Sequence, residues 1–316
     1  MIVVLTGGTG GAKFVDGLQR VLPPEELTII VNTGDDHRWW GLYVSPDIDS
    51  ITYVLAGVLS SERGWGVRGD TFHCLQTMKE LGEPTWFSVG DRDLAVHLLR
   101  TMLLAQRKTL SEATRTIAER FRLRSRIFPM SDQRVETRIE TPVGEISFEE
   151  YFVQRWYQDA VKSVRFAGVN ESKPAPGVTE AIASAAAVLI APSNPVSSIG
   201  PILAVPGIRE ALCQTEAPVV AVSPIVGNRA VSGPAGALMT AHGLEVSIAG
   251  VAHAYREFLD VLVVDECDSK SARALDWTDI RVHGANILMR SSEDKARLAR
   301  TALISANQAG AAAEAR

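Results

Sequence analysis

A chain of 316 residues has room for one large α/β domain, or for one domain carrying an insertion. Its 46% apolar and 22% charged residues are ordinary for a globular protein, and its formal charge of −5 excludes nucleic-acid binding by bulk positive charge. Apolar runs such as AAAVLIAP are far too short to cross a membrane, so no membrane partner is expected and any anionic ligand must be held by local positive groups.

Met1 leads directly into the β-branched run Ile2–Leu5 with no basic leader, which predicts a cytoplasmic protein. That run ends in TGGTGGAK. Glycines let backbone N–H groups turn inward toward an anion, and the positive end of the following helix adds to the attraction. Gly8, Thr9, Gly10, Gly11 and Lys13 are therefore candidate phosphate-binding residues. The loop is not a Walker A sequence, because Ala12 precedes Lys13 and Phe14 follows it. Nor is it GxGxxG, whose third glycine falls on Lys13. A tight turn without a ligand is the plain alternative.

Thr28–Val31 is the second predicted strand, and NTGDD puts Asp35 and Asp36 at its carboxyl edge. Ser45 can then cap a helix that has Pro46 at its first position and Asp47 and Asp49 in its first turn. Carboxylates favour helix N-termini on electrostatic grounds alone, and for Asp47 that explanation stands level with any other. Two acidic clusters beside an anion cradle point further, to a hard divalent cation on carboxylate oxygens. Asp70 is expected to cap the helix TFHCLQTMKEL. Trp86–Val89 reads as a third strand ending in SVGDRDLA. There Arg92 is a candidate ligand for a phosphate or an anionic ring oxygen, with Asp91 and Asp93 as helix caps. Thr109 and Glu112 form a capping box for LSEATRTIAERF.

From about residue 98 to 157 the alternation of strand and helix fails. The stretch reads as a helical and irregular insertion, ending in the polar SDQRVETRIETPVGEIS, that covers the site or forms an interface. Strands resume at Val164–Val169, Ala187–Ala191, Val219–Val222 and Val261–Val264. Several are apolar at consecutive positions, the mark of parallel strands buried on both faces. The fold class is α/β, one doubly wound and mostly parallel sheet over residues 1–316. The tail NQAGAAAEAR is expected to fray.

Two loops of the second half suit a nucleotide. APSNPVSSIGPIL offers Ser193 and Asn194, with Ser197 or Ser198 as a helix cap, and SPIVGNRAVSGPA offers Ser223, Gly227, Asn228, Ser232 and Gly233. A hydrogen-bonded turn would account for either alone. Cys74, Cys213 and Cys267 form no CxxC pair and read as buried thiols of a reducing compartment. His73 and His97 carry no metal spacing and read as packing or surface residues. Trp39, Trp40 and Trp65 can stack on a flat ring, although core packing explains each singly.

GGTGGAKF, NTGDD, PDID, RGWG, GDRDLA, SDQRVET, APSNPVSSIGPIL and SPIVGNRAVSGPA occur in that order across nearly the whole chain. In this the chain resembles the 2-phospho-L-lactate transferase (CofD-like) family of deazaflavin coenzyme biosynthesis. The resemblance implies a Rossmann-like fold and a magnesium-dependent enzyme. It implies transfer of a phospholactate-type or phosphoenolpyruvate group from a guanosine diphosphate conjugate to the 5′-hydroxyl of the deazaflavin riboside Fo, releasing GMP. On that basis Asp49, Lys13 and Asp36 are the catalytic candidates, and Asp35, Asp36 and Asp49 the Mg2+ ligands. Asp49 and Arg92 face Fo; Arg92 stands where the family often has lysine. Gly8 to Gly11, Lys13, Ser193, Asn194, Ser223, Gly227 and Asn228 face the GDP moiety. A homodimer is also implied. Two other classes compete. One is the related nucleotide-sugar-binding regulatory protein of the gluconeogenesis-factor type, which has PPGDIRN where this chain has SPDIDSITY. The other is a nicotinamide-dependent oxidoreductase, against which the broken GxGxxG argues.

Overall fold

The consecutive apolar runs form strands buried on both faces. The structure, a computed structural model, describes residues 1–270, 275 and 278–314. Its central sheet holds β1 (Ile2–Thr6), β2 (Leu27–Val31), β3 (Arg126–Pro129), β4 (Ala187–Ile190), β5 (Val219–Val222), β6 (Val261–Asp265) and β7 (Arg281–Ala285). All neighbouring pairs are parallel, in the spatial order 3-2-1-4-5-6-7. This is the doubly wound order with one strand added at its edge. Ile2 of β1 lies opposite Leu27 of β2 and Ala187 of β4, so the first strand is the centre of the register.

Successive side chains of a strand point to opposite faces, which divides the core in two. Val3 and Leu5 pack with Val178, Ile182, Ile208, Leu238 and Val251 from α6 (Val178–Ala183), α8 (Ile208–Gln214), α9 (Ala235–Ala241) and α10 (Ile248–Tyr255). Val4 packs on the other face with Phe14 and Val15 of α1 (Gly8–Leu18), Ile48 and Ile51 of α2 (Pro46–Leu55), and Leu298 and Ala302 of α11 (Ser292–Glu314). Ala306 and Ala309 are buried in the same layer, so the predicted frayed tail is helical through Glu314. Its last two residues lie outside the described ones.

Several sequence expectations need correction. Trp86–Val89 forms no strand. Trp86 and Phe87 instead pack around Trp39, which lies on the hairpin His37–Trp39 and Leu42–Val44. Residues 98–157 are not one inserted unit, because Arg126–Pro129 is the edge strand of the central sheet. The strand near Val164 spans Ser163–Ala167 and belongs to a separate antiparallel sheet with Glu136–Thr141 and Gly144–Ser147. The cysteines are not buried: Cys213 and Cys267 are exposed and Cys74 is half-buried. No helix among the described residues is long and apolar enough to cross a membrane.

Two helices that reach the site exchange caps. Asp70 does not cap α3 (His73–Glu80); its carboxylate accepts the Arg92 and Asp93 N–H groups of α4 (Asp91–Ala105) at 2.9 and 3.1 Å. Asp91 in turn accepts the His73 and Cys74 N–H groups of α3 at 3.1 and 3.0 Å. Each carboxylate sits at the positive end of the other helix, which couples the start of α4 to α3. The predicted capping box is present at Thr109 and Glu112 of α5 (Leu110–Arg120).

Candidate active site

The strand order reverses between β1 and β4, and a doubly wound sheet binds ligands beyond the carboxyl ends of its strands at that point. The loop after β1 holds the glycines. A side chain at Gly7 would meet the Asp47 carboxylate at 2.7 Å. At Gly10 it would meet the backbone carbonyl oxygen of Pro192, in the loop after β4, at 2.5 Å. These two glycines let two strand exits and α2 close on one another, so Gly10→Val is a packing lesion whatever the loop binds. The N-cap residue of α1, Gly7, has no side chain to cap it, and Thr9 and Lys13 are exposed on its first turns. The amino end of α1 thus offers backbone N–H groups and a lysine to an anion.

Buried carboxylates adjoin this end. Asp47 accepts the Gly8 N–H through Oδ1 at 2.7 Å and the Asn32 amide through Oδ2 at 3.0 Å. The same Asn32 Nδ2 donates to Asp35 Oδ2 at 2.9 Å, so one amide of the NTGDD stretch ties the two carboxylates together. Asp35 Oδ1 is buried without a hydrogen-bond partner. Burial, then the negative charges of Asp47, Glu149 and Asp36, push the Asp35 carboxyl well above the ordinary range. Burial raises Asp47 to about 6 against the Gly8 and Asn32 hydrogen bonds, and burial with the Asp47 and Asp36 charges raises Glu149 to about 8. Asp35 and Asp47 offer oxygen ligands, surplus negative charge and an unpaired oxygen, a chemistry that suits a hard divalent cation, but among the described residues they belong to no set of three carboxylate or histidine ligands at metal spacing.

The other two predicted metal ligands are committed elsewhere. Asp36 accepts the Ser45 hydroxyl at 2.7 Å and the Tyr43 hydroxyl at 2.9 Å, and burial raises it to about 8 despite both. Ser45 is therefore the N-cap of α2 by position only, since its hydroxyl serves Asp36. Asp49 is gripped by the Arg100 guanidinium, Nη1 to Oδ2 at 3.0 Å and Nη2 to Oδ1. His97 lies between Asp49 and Asp93 at 3.4 and 3.5 Å, ion-pair contacts longer than good hydrogen bonds. Burial opposes the charges of these groups. The Arg100 charge and His97 nevertheless hold Asp49 below its ordinary value, and the flanking carboxylates raise His97 to about 9. Asp49, Asp93 and His97 each bring one ligand atom within 4.8 Å of the others, the spacing of a metal triad. A metal there would have to strip the proton from His97 and share Asp49 with Arg100. The Asp35 and Asp47 carboxylates face no such competitor.

A carboxyl raised in the folded state stabilises the fold while protonated. That stability is present below about pH 4 and is lost as pH rises through about 6 for Asp47 and about 8 for Asp36 and Glu149. His97 acts in the same direction, its contribution complete below 6.5 and lost through about 9. Metal-free protein is therefore expected to melt at a lower temperature at pH 9 than at pH 6. A thermal-shift series across that range checks it, and a flat profile contradicts the buried charge cluster.

The remaining predicted residues take mixed places. Ser193 Oγ donates to the Gly7 carbonyl at 2.7 Å, and Asn194 Oδ1 accepts the Val196 N–H at 2.9 Å, so both shape the loop after β4. Ser197 and Ser198 do not cap α7 (Gly200–Ala204), whose N-cap is Ile199. Ser223 Oγ accepts the Ile225 N–H at 3.0 Å. Gly227 and Asn228, at φ of 54° and 61°, are the central residues of a two-residue hairpin. Two positive φ values are what a type I′ turn requires, which accounts for Gly-Asn without a ligand. Arg92 is exposed in the first turn of α4, eight positions before Arg100, about 12 Å along the helix. Trp39 is buried, whereas Trp65 is exposed with the Arg63 guanidinium over its ring.

His97 and Arg100 were missed by sequence reasoning, and His97 is neither surface nor simple packing. The signal was present: Asp93, Val96, His97, Arg100 and Leu103 are the buried residues of α4 and fall on one helical stripe. Charged groups sharing a stripe with Val96 and Leu103 must be buried, and buried charges must pair.

The chain matches the sequence model of the family described as 2-phospho-L-lactate transferase CofD over residues 2–292. It is 43% identical over 292 residues to a 2-phospho-L-lactate transferase of Methanococcoides burtonii, covering 92% of this chain and 95% of that one. It is 42% identical over 314 residues to a phosphoenolpyruvate transferase of Kitasatospora aureofaciens, covering 97% and 98%. Among solved structures, a member of the UPF0052 family from Bacillus halodurans superposes with a TM-score of 0.66 at 16% identity, covering 96% and 98%. That likeness concerns the fold.

Proposed function

The chain belongs to the 2-phospho-L-lactate transferase CofD family, and from that premise we propose that it transfers a phospholactate-type or phosphoenolpyruvate group from a guanosine diphosphate conjugate to the 5′-hydroxyl of the deazaflavin riboside Fo. An enzyme of phospholactate or phosphoenolpyruvate transferase type is common to both named relatives. The observation that carries the finer reading is the meeting, at the β1–β4 switch point, of the glycine-rich α1 amino end with the buried Asp35–Asn32–Asp47 group, which takes the Gly8 N–H.

In this reading the donor diphosphate lies at the amino end of α1. Backbone N–H groups of Thr9, Gly10 and Gly11 and the Lys13 ammonium neutralise it there, the Gly8 N–H being held by Asp47. Asp35 and Asp47 would hold Mg2+, which would supply Lewis-acid charge stabilisation when bound. The riboside hydroxyl forms a bond to the phosphorus that bears the acyl-type group and gives its proton to Asp49, the bond from that phosphorus to the bridging oxygen breaks, and GMP leaves with that oxygen. Asp49 accepts a hydrogen bond from the riboside end of Fo, and Arg92 holds the anionic ring end. Asp36 acts through Ser45 and Tyr43 to fix the first turn of α2. Ser193, Asn194, Ser223, Gly227 and Asn228 shape the loops beside the nucleotide. The assembly is a homodimer.

Ligand-induced thermal stabilisation tests this reading against its rivals. A ligand at a hundredfold its dissociation constant adds roughly 2.7 kcal/mol. GDP with Mg2+ is expected to stabilise the protein. Stabilisation by a UDP-sugar or by NAD, with none by GDP, overturns the reading.

A further inference from the structure

The first turn of α2 points two ways. Asp47 faces α1 and takes the Gly8 N–H, whereas Asp49 faces α4 and is held by Arg100. We propose that Arg100 and His97 are positioning residues for the transfer: they clamp the Asp49 carboxylate in one orientation so that its remaining lone pair receives the acceptor hydroxyl. This rests on the functional reading above, which puts Asp49 at the riboside end of Fo.

An ionised carboxylate offers about four acceptor positions on its two oxygens. Arg100 takes one on each oxygen through its fork, and His97 Nδ1 approaches Oδ2. One position, on Oδ1, is left. Because the fork is planar and bidentate it sets the rotation of the carboxylate as well as its place. His97 is itself set by Asp93, whose Oδ1 accepts the Tyr53 hydroxyl at 2.6 Å. The chain of orientation thus runs Tyr53, Asp93, His97, Asp49, with Arg100 as the second clamp.

Stability alone does not explain the cluster. Arg100 is fully buried, and its Nε has no hydrogen-bond partner. Neither ring nitrogen of His97 makes a well-formed hydrogen bond. Well-packed apolar side chains in place of buried ion pairs are often as stable or more so. Unsatisfied buried polar atoms in a native fold call for an explanation, and a catalytic role is one of them. The same helix carries Arg92 at its exposed amino end. One rigid element therefore sets both proposed contacts to the acceptor, about 12 Å apart along its axis.

The test uses the full chain, Fo, a guanosine diphosphate donor and Mg2+. Arg100→Lys keeps the charge and loses the fork. A misplacement of about 1 Å in a reacting pair costs about 10²-fold, so kcat/KM for Fo is expected to fall by about that factor. GDP affinity should stay within twofold and folding should be retained. His97→Gln keeps a donor without the charge and is expected to lose about tenfold in the same parameter. On an Asp49→Asn background, Arg100→Lys should add no further loss, because the fork acts through Asp49 and the retained lysine charge still faces Asp36. Multiplying losses on that background, or equal falls in Fo and GDP affinity that track the melting temperature, overturn the proposal and leave a structural ion cluster. Unaltered kinetics in Arg100→Lys overturn it too. An unmutated protein that binds GDP but never Fo overturns the functional reading itself, and this proposal with it.

Discussion

Asp35→Asn is expected to lose transfer activity by about 10²-fold or more while melting at a higher temperature than the unmutated protein when both are metal-free at pH 8. The two effects have one cause. Asp35 is raised well above its ordinary value by burial and then by the charges of Asp47, Glu149 and Asp36. Forcing that group to ionise without a cation destabilises the fold. An amide removes the charge, and its oxygen can still accept the Asn32 hydrogen bond that Asp35 Oδ2 accepts at 2.9 Å. With Mg2+ present the advantage should reverse, because the ion loses a ligand. Loss of several kcal/mol of charge stabilisation corresponds to two or more powers of ten in rate. Thermal-shift curves with Mg2+ and with chelator, beside turnover, check both halves. A variant that is inactive yet gains as much stability from Mg2+ as the unmutated protein would place the ion elsewhere, with the Asp49, Asp93 and His97 group the first place to look.

Arg100→Met is expected to cost about 3–5 kcal/mol of folding stability, the range for breaking a buried ion pair by removing one partner. The methionine fills much of the volume but leaves Asp49 and Asp93 facing a single His97. Asp36, whose raised pKa the Arg100 charge also moderates, would be driven further up. Urea denaturation at pH 7 measures the loss as a fall in the midpoint at unchanged slope. Part of the loss should return as pH is lowered and the carboxylates protonate. A loss under 1 kcal/mol would mean that water reaches the pair.

The parts of this molecule that were legible in the sequence are those governed by local chemistry. Ile2–Thr6, Leu27–Val31, Val219–Val222 and Val261–Asp265 are apolar at nearly every position because both faces of their strands are covered. The glycine loop announced itself because close approach to Pro192 and Asp47 leaves no room for a side chain. The edge strand Arg126–Pro129 was hidden for the converse reason. It is covered on fewer sides, begins with an exposed arginine and lies in a polar stretch. Trp86–Val89 misled because aromatic and β-branched residues suit a strand and an aromatic cluster equally well.

The site was half legible. NTGDD and PDID pointed to carboxylates, but not to which of them share an amide and which are claimed by Arg100. Asp47, explicable as a helix-terminal carboxylate, proves to bridge the α1 amino end and Asn32. Asp35 and Asp49, equivalent as letters, stand in opposite electrostatic settings, one raised by neighbouring anions and the other held down by a guanidinium. Such differences arise from long-range pairing between α2 and α4, which no local pattern encodes. Gly227 and Asn228 have two explanations that the letters do not separate: a pair that reads as nucleotide-lining is also what a two-residue hairpin requires.

The central claim is a magnesium-assisted transfer of a phospholactate-type or phosphoenolpyruvate group from a guanosine diphosphate donor to Fo. Its most direct test is to incubate the purified chain with Fo, Mg2+ and the lactyl, enolpyruvyl or glyceryl donor in turn, and to weigh the products. The account predicts that at least one donor yields Fo enlarged by the corresponding phospho-acyl group with one GMP released per product, and that excess chelator stops both. GMP release without an enlarged Fo, or no reaction with any of the three donors while GDP and Fo both bind, would contradict it.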